Sequence, residues 1–173
     1  MRGPQSHKER SDVRRFLVID LDRCTGCRNC ELACSVRNTS TFNPRRARIQ
    51  VLRDEERNLI VPVVCLQCEH PMCREVCPVG AIVEGPAGVL TVTESCIGCG
   101  ICVTACMYGG IVLDPATRRA VKCDLCGGDP VCVKTCEYGA ITLVDADKSG
   151  LLARSEASQR AMRTVGIIVE DSQ

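Results

Sequence analysis

The chain has no tryptophan, two tyrosines and two phenylalanines in 173 residues. Aromatic rings normally supply much of the buried area in a domain of this size. Something else must fill and cross-link this interior. Long hydrophobic runs are also missing. None approaches the ~20 apolar residues of a membrane helix, so direct membrane insertion is not expected. Nor is there the apolar stretch of an export signal. The opening "MRGPQSHKERSDVRR" is polar throughout, and "FLVIDLD" is short and runs at once into Arg23 and Cys24. The pair Arg14-Arg15 lacks the spacer, apolar run and cleavage site of a twin-arginine signal. The expected location is the cytoplasm. A net charge of +1 also argues against a nucleic-acid-binding polycation.

What the chain has instead is 16 cysteines. In a reducing compartment, clustered thiols point to metal rather than disulfides. They fall into four groups of four with none left over. Cys24, Cys27, Cys30 and Cys34 are spaced C-x2-C-x2-C-x3-C, and Cys96, Cys99, Cys102 and Cys106 repeat that spacing. Cys65, Cys68, Cys73 and Cys77 follow C-x2-C-x4-C-x3-C, then Pro78. Cys123, Cys126, Cys132 and Cys136 follow C-x2-C-x5-C-x3-C. Three thiolates this close let one loop hold three corners of an iron–sulfur cubane. In two-cluster ferredoxins the fourth cysteine crosses to the neighbouring cluster. Gly26, Gly98 and Gly100 relieve the crowding of such loops. Structural zinc would instead favour separated C-x2-C pairs. Four such groups imply four 4Fe-4S clusters.

The connections suggest how the groups pair. Between Cys77 and Cys96, a strand at Ala81–Val83, a turn at Gly85, Pro86 and Gly88, and a strand at Val89–Thr93 read as a hairpin. Groups two and three then form one ferredoxin-like module. Cys65, Cys68 and Cys73 would share a cluster with Cys106, and Cys77 would join Cys96, Cys99 and Cys102. "RRFLVID" reads as a strand entering group one, and "GAITLVD" as a strand leaving group four. Groups one and four can pair around the first module. Sequential pairing, one with two and three with four, is the alternative.

At this point the chain resembles the four-cluster electron-transfer subunits of bacterial molybdenum and tungsten oxidoreductases, the dimethyl sulfoxide reductase iron–sulfur subunit family. The matching stretches are "CTGCRNCELAC", "CLQCEHPMCREVCPVGAI", "CIGCGICVTACMYGGI" and "KCDLCGGDPVCVKTCEYGAI". The resemblance covers Phe16 to Val144. A narrower resemblance is to the small iron–sulfur subunit of bacterial tungsten aldehyde oxidoreductase. The resemblance implies nested pairing. Cys24, Cys27, Cys30 and Cys136 would hold one cluster, and Cys34, Cys123, Cys126 and Cys132 a second.

The expected fold is α+β, with two nested bacterial-ferredoxin-like modules, short β-hairpins and short helices. Residues 1–12 are expected to be a flexible arm. The outer module would take 13–61 and 112–147, the inner 62–111, and the tail 148–173. The implied function is electron transfer without catalysis of its own. The implied partner is a large tungsten- or molybdenum-pterin subunit, with a flavin NAD-reducing subunit or a ferredoxin as further partners. End-to-end self-association is a further expectation for the tail. Two other classes stay open: a free polyferredoxin, or a subunit of a hydrogenase or carbon monoxide dehydrogenase, and an iron–sulfur redox sensor or assembly module.

The family's proline after the fourth cysteine is present only at Pro78. Ser35, Met107 and Glu137 stand in the other places. His70 reads as a solvated loop residue. Lys122 reads either as a cation near a cluster or as an exposed lysine. Met107, Tyr108 and Tyr138 are expected to pack against clusters. Thr39–Glu56, with four arginines, reads as a solvated surface insert leading to a hairpin. "GGDP" lacks the context of a phosphate loop. Ser155 is a candidate helix cap, with "GIIVE" an extended segment beyond the helix.

Overall fold

The computed structural model describes residues 13–165. The arm at 1–12 and the "GIIVE" segment lie outside the described residues. Eight strands form four separate two-stranded antiparallel sheets, and each pairing serves a cysteine loop. Strand β1 (Arg15–Ile19) pairs with β8 (Ile141–Asp145), with Leu17 opposite Leu143. Strands β2 (Ile49–Asp54) and β3 (Leu59–Val64) form the longest hairpin. Strands β4 (Ile82–Glu84) and β5 (Leu90–Val92) join groups two and three. Strands β6 (Ile111–Leu113) and β7 (Ala120–Lys122) join groups three and four. Residue 62 falls inside β3, and 111 and 112 fall inside β6.

Each group's third and fourth cysteines sit on or beside a helix. These are α1 (Asn29–Thr39), α2 (Met72–Glu75), α3 (Ile101–Ala105) and α4 (Val131–Lys134). Helix α1 alone runs on well past its last cysteine; Ser35 permits this, although Met107 and Glu137 stand in the same place after the shorter α3 and α4. A proline here would lack the amide a helix needs. Ser35 keeps it, and its fully buried hydroxyl donates to the Leu32 carbonyl at 2.8 Å and accepts from the Asn43 amide at 3.2 Å.

Strand β1 is covered on both faces. Leu17 enters the main core with Ile49, Val51, Leu125 and Ile141. Phe16 and Val18 pack with Ala157 of helix α5 (Lys148–Thr164). That helix begins earlier than the sequence suggests. Asp147 is its cap, accepting from the Gly150 amide at 2.8 Å, and Ser155 sits mid-helix. Arg154 lies over the Phe16 ring at 5.1 Å from its centroid, a cation–π contact.

The arginine-rich insert leads to the β2–β3 hairpin as expected, but it is solvated on one side only. Ala47, Ile49 and Val51 are buried, at alternating positions. Arg46 grips the buried Asp114 with two nitrogens, Nη2 to Oδ2 at 2.9 Å and Nε to Oδ2 at 3.0 Å. Arg48 pairs with Asp124 at 2.6 Å. Burial would raise the Asp114 carboxyl. The bonds from Arg46 and from the Ala116 and Thr117 amides outweigh it and hold it below the usual carboxylate range. Such a group adds stability above its unfolded pKa, and that stability is lost as pH falls through the depressed folded value. Replacing Asp114→Ala leaves Arg46 unpaired and is expected to cost about 3 kcal/mol. A denaturant double-mutant cycle with Arg46→Ala checks this. Purely additive losses would show that the pair contributes nothing.

Candidate metal centres

Half of the cysteines gather around two small clefts. Cys24, Cys27, Cys30 and Cys136 line one. Cys77, Cys96, Cys99 and Cys102 line the other. Cys34 and Cys132 lie within electrostatic reach of Cys126 and of each other, and Cys123 within reach of both Cys34 and Cys132. Cys65 and Cys106 both act on Cys68 and on Cys73. Members of different sets also lie within electrostatic reach of one another: Cys30 of Cys132, Cys65 of Cys123, and Cys73 of Cys102.

Backbone amides point at the sulfurs. Arg48 donates to Cys34 at 3.2 Å, Ala81 to Cys77 at 3.2 Å and Ala140 to Cys136 at 3.2 Å. Gln67 donates to Cys65, Leu125 to Cys123 and Ala120 to Cys96, each at 3.4 Å. Such donors stabilise thiolate and tune a bound cluster. Burial works the other way on the empty thiols. It pushes Cys30 and Cys132 up to about 12 and raises Cys24, Cys34, Cys68, Cys73, Cys102 and Cys123 as well. Cys77 is the exception. Its small burial penalty is outweighed by amides from Ala81, Val79, Ile82 and Gly80, and it is lowered.

The residues present fit clusters of negative charge. Lys122 is 3% exposed, and its Nζ donates to the Leu90 carbonyl at 2.7 Å. Among the described residues it has no carboxylate partner. A buried cation without a counter-charge is costly. Its charge reaches Cys73, where a thiolate-bound cluster would supply the missing negative charge. Of the two readings of Lys122, the buried one holds. Among the described residues, no three His, Cys, Asp or Glu side chains converge to hold a single ion.

Several site residues are absent from the sequence reading. Gln67 is 3% exposed and has φ 51°. Its amide nitrogen donates to the Cys123 carbonyl at 2.6 Å, and its side-chain oxygen accepts from the Leu90 amide at 2.9 Å. One side chain thus ties group two, group four and β5 together. Arg14 donates to the carbonyls of Gln67 and Cys68 at 2.7 and 2.6 Å, locking the entry of β1 to the group-two loop. His70 is exposed, as expected. Met107 is 80% exposed, Tyr108 52% and Tyr138 50%, so Met107 in particular does not pack inside, contrary to expectation.

Comparison with known proteins identifies iron–sulfur domains in the chain. Residues 56–146 match the 4Fe-4S dicluster domain, and residues 17–37 match a 4Fe-4S binding domain. One of the subunits of tetrathionate reductase from Salmonella typhimurium is 34% identical over 131 residues, covering 72% of this chain and 52% of that protein. The chain therefore spans about half the length of that relative. Electron transport protein HydN of Escherichia coli is 37% identical over 139 residues, covering 66% of this chain and 77% of that one. A solved structure, the BamBC active site complex of benzoyl coenzyme A reductase, aligns with TM-score 0.48 and 25% identity over 86% of this chain and 91% of its own. With the match spanning residues 56–146 and sixteen free cysteines, the chain belongs to the 4Fe-4S dicluster family of iron–sulfur proteins.

Proposed function

We propose that the chain is the electron-transfer subunit of a multisubunit oxidoreductase and catalyses nothing by itself. Single electrons would pass between a large catalytic subunit, of the tungsten- or molybdenum-pterin class, and a distal acceptor. Aldehyde oxidation is the favoured chemistry of that partner. A flavin subunit that reduces NAD, or a ferredoxin, is the favoured acceptor. End-to-end association of copies and a cytoplasmic location complete the reading. Among the described residues, no helix is long and apolar enough to cross a membrane.

The ligand sets of this reading are Cys24, Cys27, Cys30 with Cys136; Cys34 with Cys123, Cys126 and Cys132; Cys65, Cys68, Cys73 with Cys106; and Cys77 with Cys96, Cys99 and Cys102. They place groups one and four in an outer module, 13–61 with 112–147, around an inner module of 62–111. When bound, 4Fe-4S clusters supply one-electron redox chemistry with little rearrangement. The chain's own residues hold the thiolates on rigid loops, donate amides to the sulfurs and exclude water. One observation carries the reading. Thiols of one proposed set lie within electrostatic reach of the next, which supports a file of clusters, and the two exposed cysteines, Cys27 and Cys99, fall in the two sets at its ends.

The test is cysteine replacement with iron analysis and electron paramagnetic resonance. The loaded chain is expected to hold about 16 irons and 16 sulfides. Cys136→Ser is expected to damage the same signal as Cys24→Ser. If it instead reproduces the loss seen with Cys65→Ser, the nested pairing is wrong. Anaerobic isolation from the native host with metal analysis tests the partner. Nickel in place of tungsten or molybdenum would overturn the pterin assignment.

A further inference from the structure

The two exposed cysteines open onto chemically opposite surfaces. The cavity at Cys99 is lined by no charged residue. Around it, Val79, Ile97 and Ile101 are 42%, 65% and 46% exposed. The cavity at Cys27 is lined by Arg23 and Arg28, and the groove beside it adds Arg53 and Glu55. Arg53 reaches over Gly26, its guanidinium 2.8 Å from where a Cβ there would stand. Arg23 reaches over Gly139 in the same way, at 3.3 Å. Arg23 and Arg28 line the cleft that holds Cys27, and Arg53 covers the adjacent Gly26.

These charges are not spent within the chain. Arg57, Arg74, Arg119, Arg46 and Arg48 all pair with carboxylates. Arg28 has only Glu31, at 3.8 Å, as an ion-pair partner; its Nη2 also donates to the Val51 carbonyl at 3.4 Å, and the Glu31 carboxylate accepts from the Val51 amide at 2.6 Å. Arg23 and Arg53 are exposed and have no ion pair among the described residues.

We propose that the Cys27 opening is the docking site of a soluble, acidic electron carrier, with Arg23, Arg28 and Arg53 receiving its carboxylates. This rests on the electron-transfer reading above. The choice of a carrier over a permanent subunit follows from the chemistry of the rim. Lasting interfaces are apolar at their centres, as the Cys99 surface is, whereas redox encounters are small. A rim of cations, two of them without an ion pair, steers an anionic partner and sets the rate of encounter more than the lifetime of the complex.

The experiment uses the cluster-loaded full chain and, as probe, a reduced acidic two-cluster bacterial ferredoxin. Stopped-flow transfer is followed at rising ionic strength, with calorimetric affinity as a second readout. The rate constant is expected to fall about tenfold or more as the Debye length shrinks from about 30 Å to below 10 Å. Arg23→Glu with Arg53→Glu, at unchanged iron content, is expected to lower the low-salt rate at least about tenfold and to flatten its salt dependence. The same variant is expected to gain rate with a basic redox protein such as cytochrome c. Rates and affinities that ignore both salt and charge reversal would overturn the docking site. So would an equal loss of rate with a small neutral reductant, since the arginines would then act on the cluster alone. A tight, salt-insensitive complex at this face would also overturn it and mark a permanent interface. A chain that cannot hold reducible clusters would fail the electron-transfer reading itself.

Discussion

Anaerobic removal of iron and sulfide is expected to abolish most of the far-ultraviolet circular dichroism signal, not only the visible absorbance. The main core counts Cys30, Cys34, Cys65, Cys123 and Cys132 among its buried members, and the second core counts Cys102. Of the aromatics, Phe16 is buried, but Phe42 is 82% exposed and both tyrosines are half-exposed. Helices α2 and α4 have four residues each, and strands β4 to β7 have three. Helices this short do not persist alone, and isolated hairpins are marginal in water. Empty pockets would also leave Lys122 buried without a counter-charge. Binding free energy in such a chain is folding free energy. The raised thiols add a pH dependence. A buried thiol favours its neutral form, so loading must drive protons out. Reconstitution is therefore expected to gain as pH rises from about 7 to about 9. A chelated chain that kept its dichroism would show that the polypeptide folds without its clusters.

Gly98→Ala is expected to cost one whole cluster, lowering iron from about 16 to about 12 per chain. Gly98 has φ +71°, and a Cβ there would be driven into the backbone carbonyl of Arg118. The left-handed conformation alone costs an L-residue about 1–2 kcal/mol. The collision adds more, because Arg118 is backbone and is itself held at φ 60°. The loop from Cys96 to Cys102 must then move away from the turn between β6 and β7. Gly127→Ala is the control. Its φ is +70°, but nothing lies within 4 Å of its Cβ position, so it is expected to keep the full iron content. Iron analysis of the two variants side by side checks this. Equal, full loading would show that the Gly98 approach has room to relax.

The sequence makes the cysteine loops legible because ligand spacing is a local property. It also shows the strands β1 and β8, since "FLVI" and "ITLV" are compact apolar runs beside those loops. The β4–β5 turn is visible in Gly85, Pro86 and Gly88. The rest depends on long-range contacts. Gln67 is just one of two residues between cysteines, and nothing local marks it as a buried junction 56 residues from its partner Cys123. Nothing local marks Asp114 as a buried anchor, because its partner Arg46 lies 68 residues away. Four arginines make Thr39–Glu56 look solvated, although Ala47, Ile49 and Val51 already alternate as a half-buried strand should. Helix α5 reads as starting late because Ser155 looks like a cap. The working cap, Asp147, is recognisable only by its bond to Gly150.

The pairing of β1 with β8 also governs how the chain is made. Arg15 finds Asp145 across its strand, about 130 residues later in synthesis. At ribosomal speeds of about 5–20 residues per second, β1 waits on the order of ten seconds for its partner to exist. The β2–β3, β4–β5 and β6–β7 hairpins close locally within that interval. The first four thiols to emerge, Cys24 to Cys34, therefore sit beside a strand whose partner is still unmade. The nascent chain must keep them reduced until the last strand arrives to shut the fold.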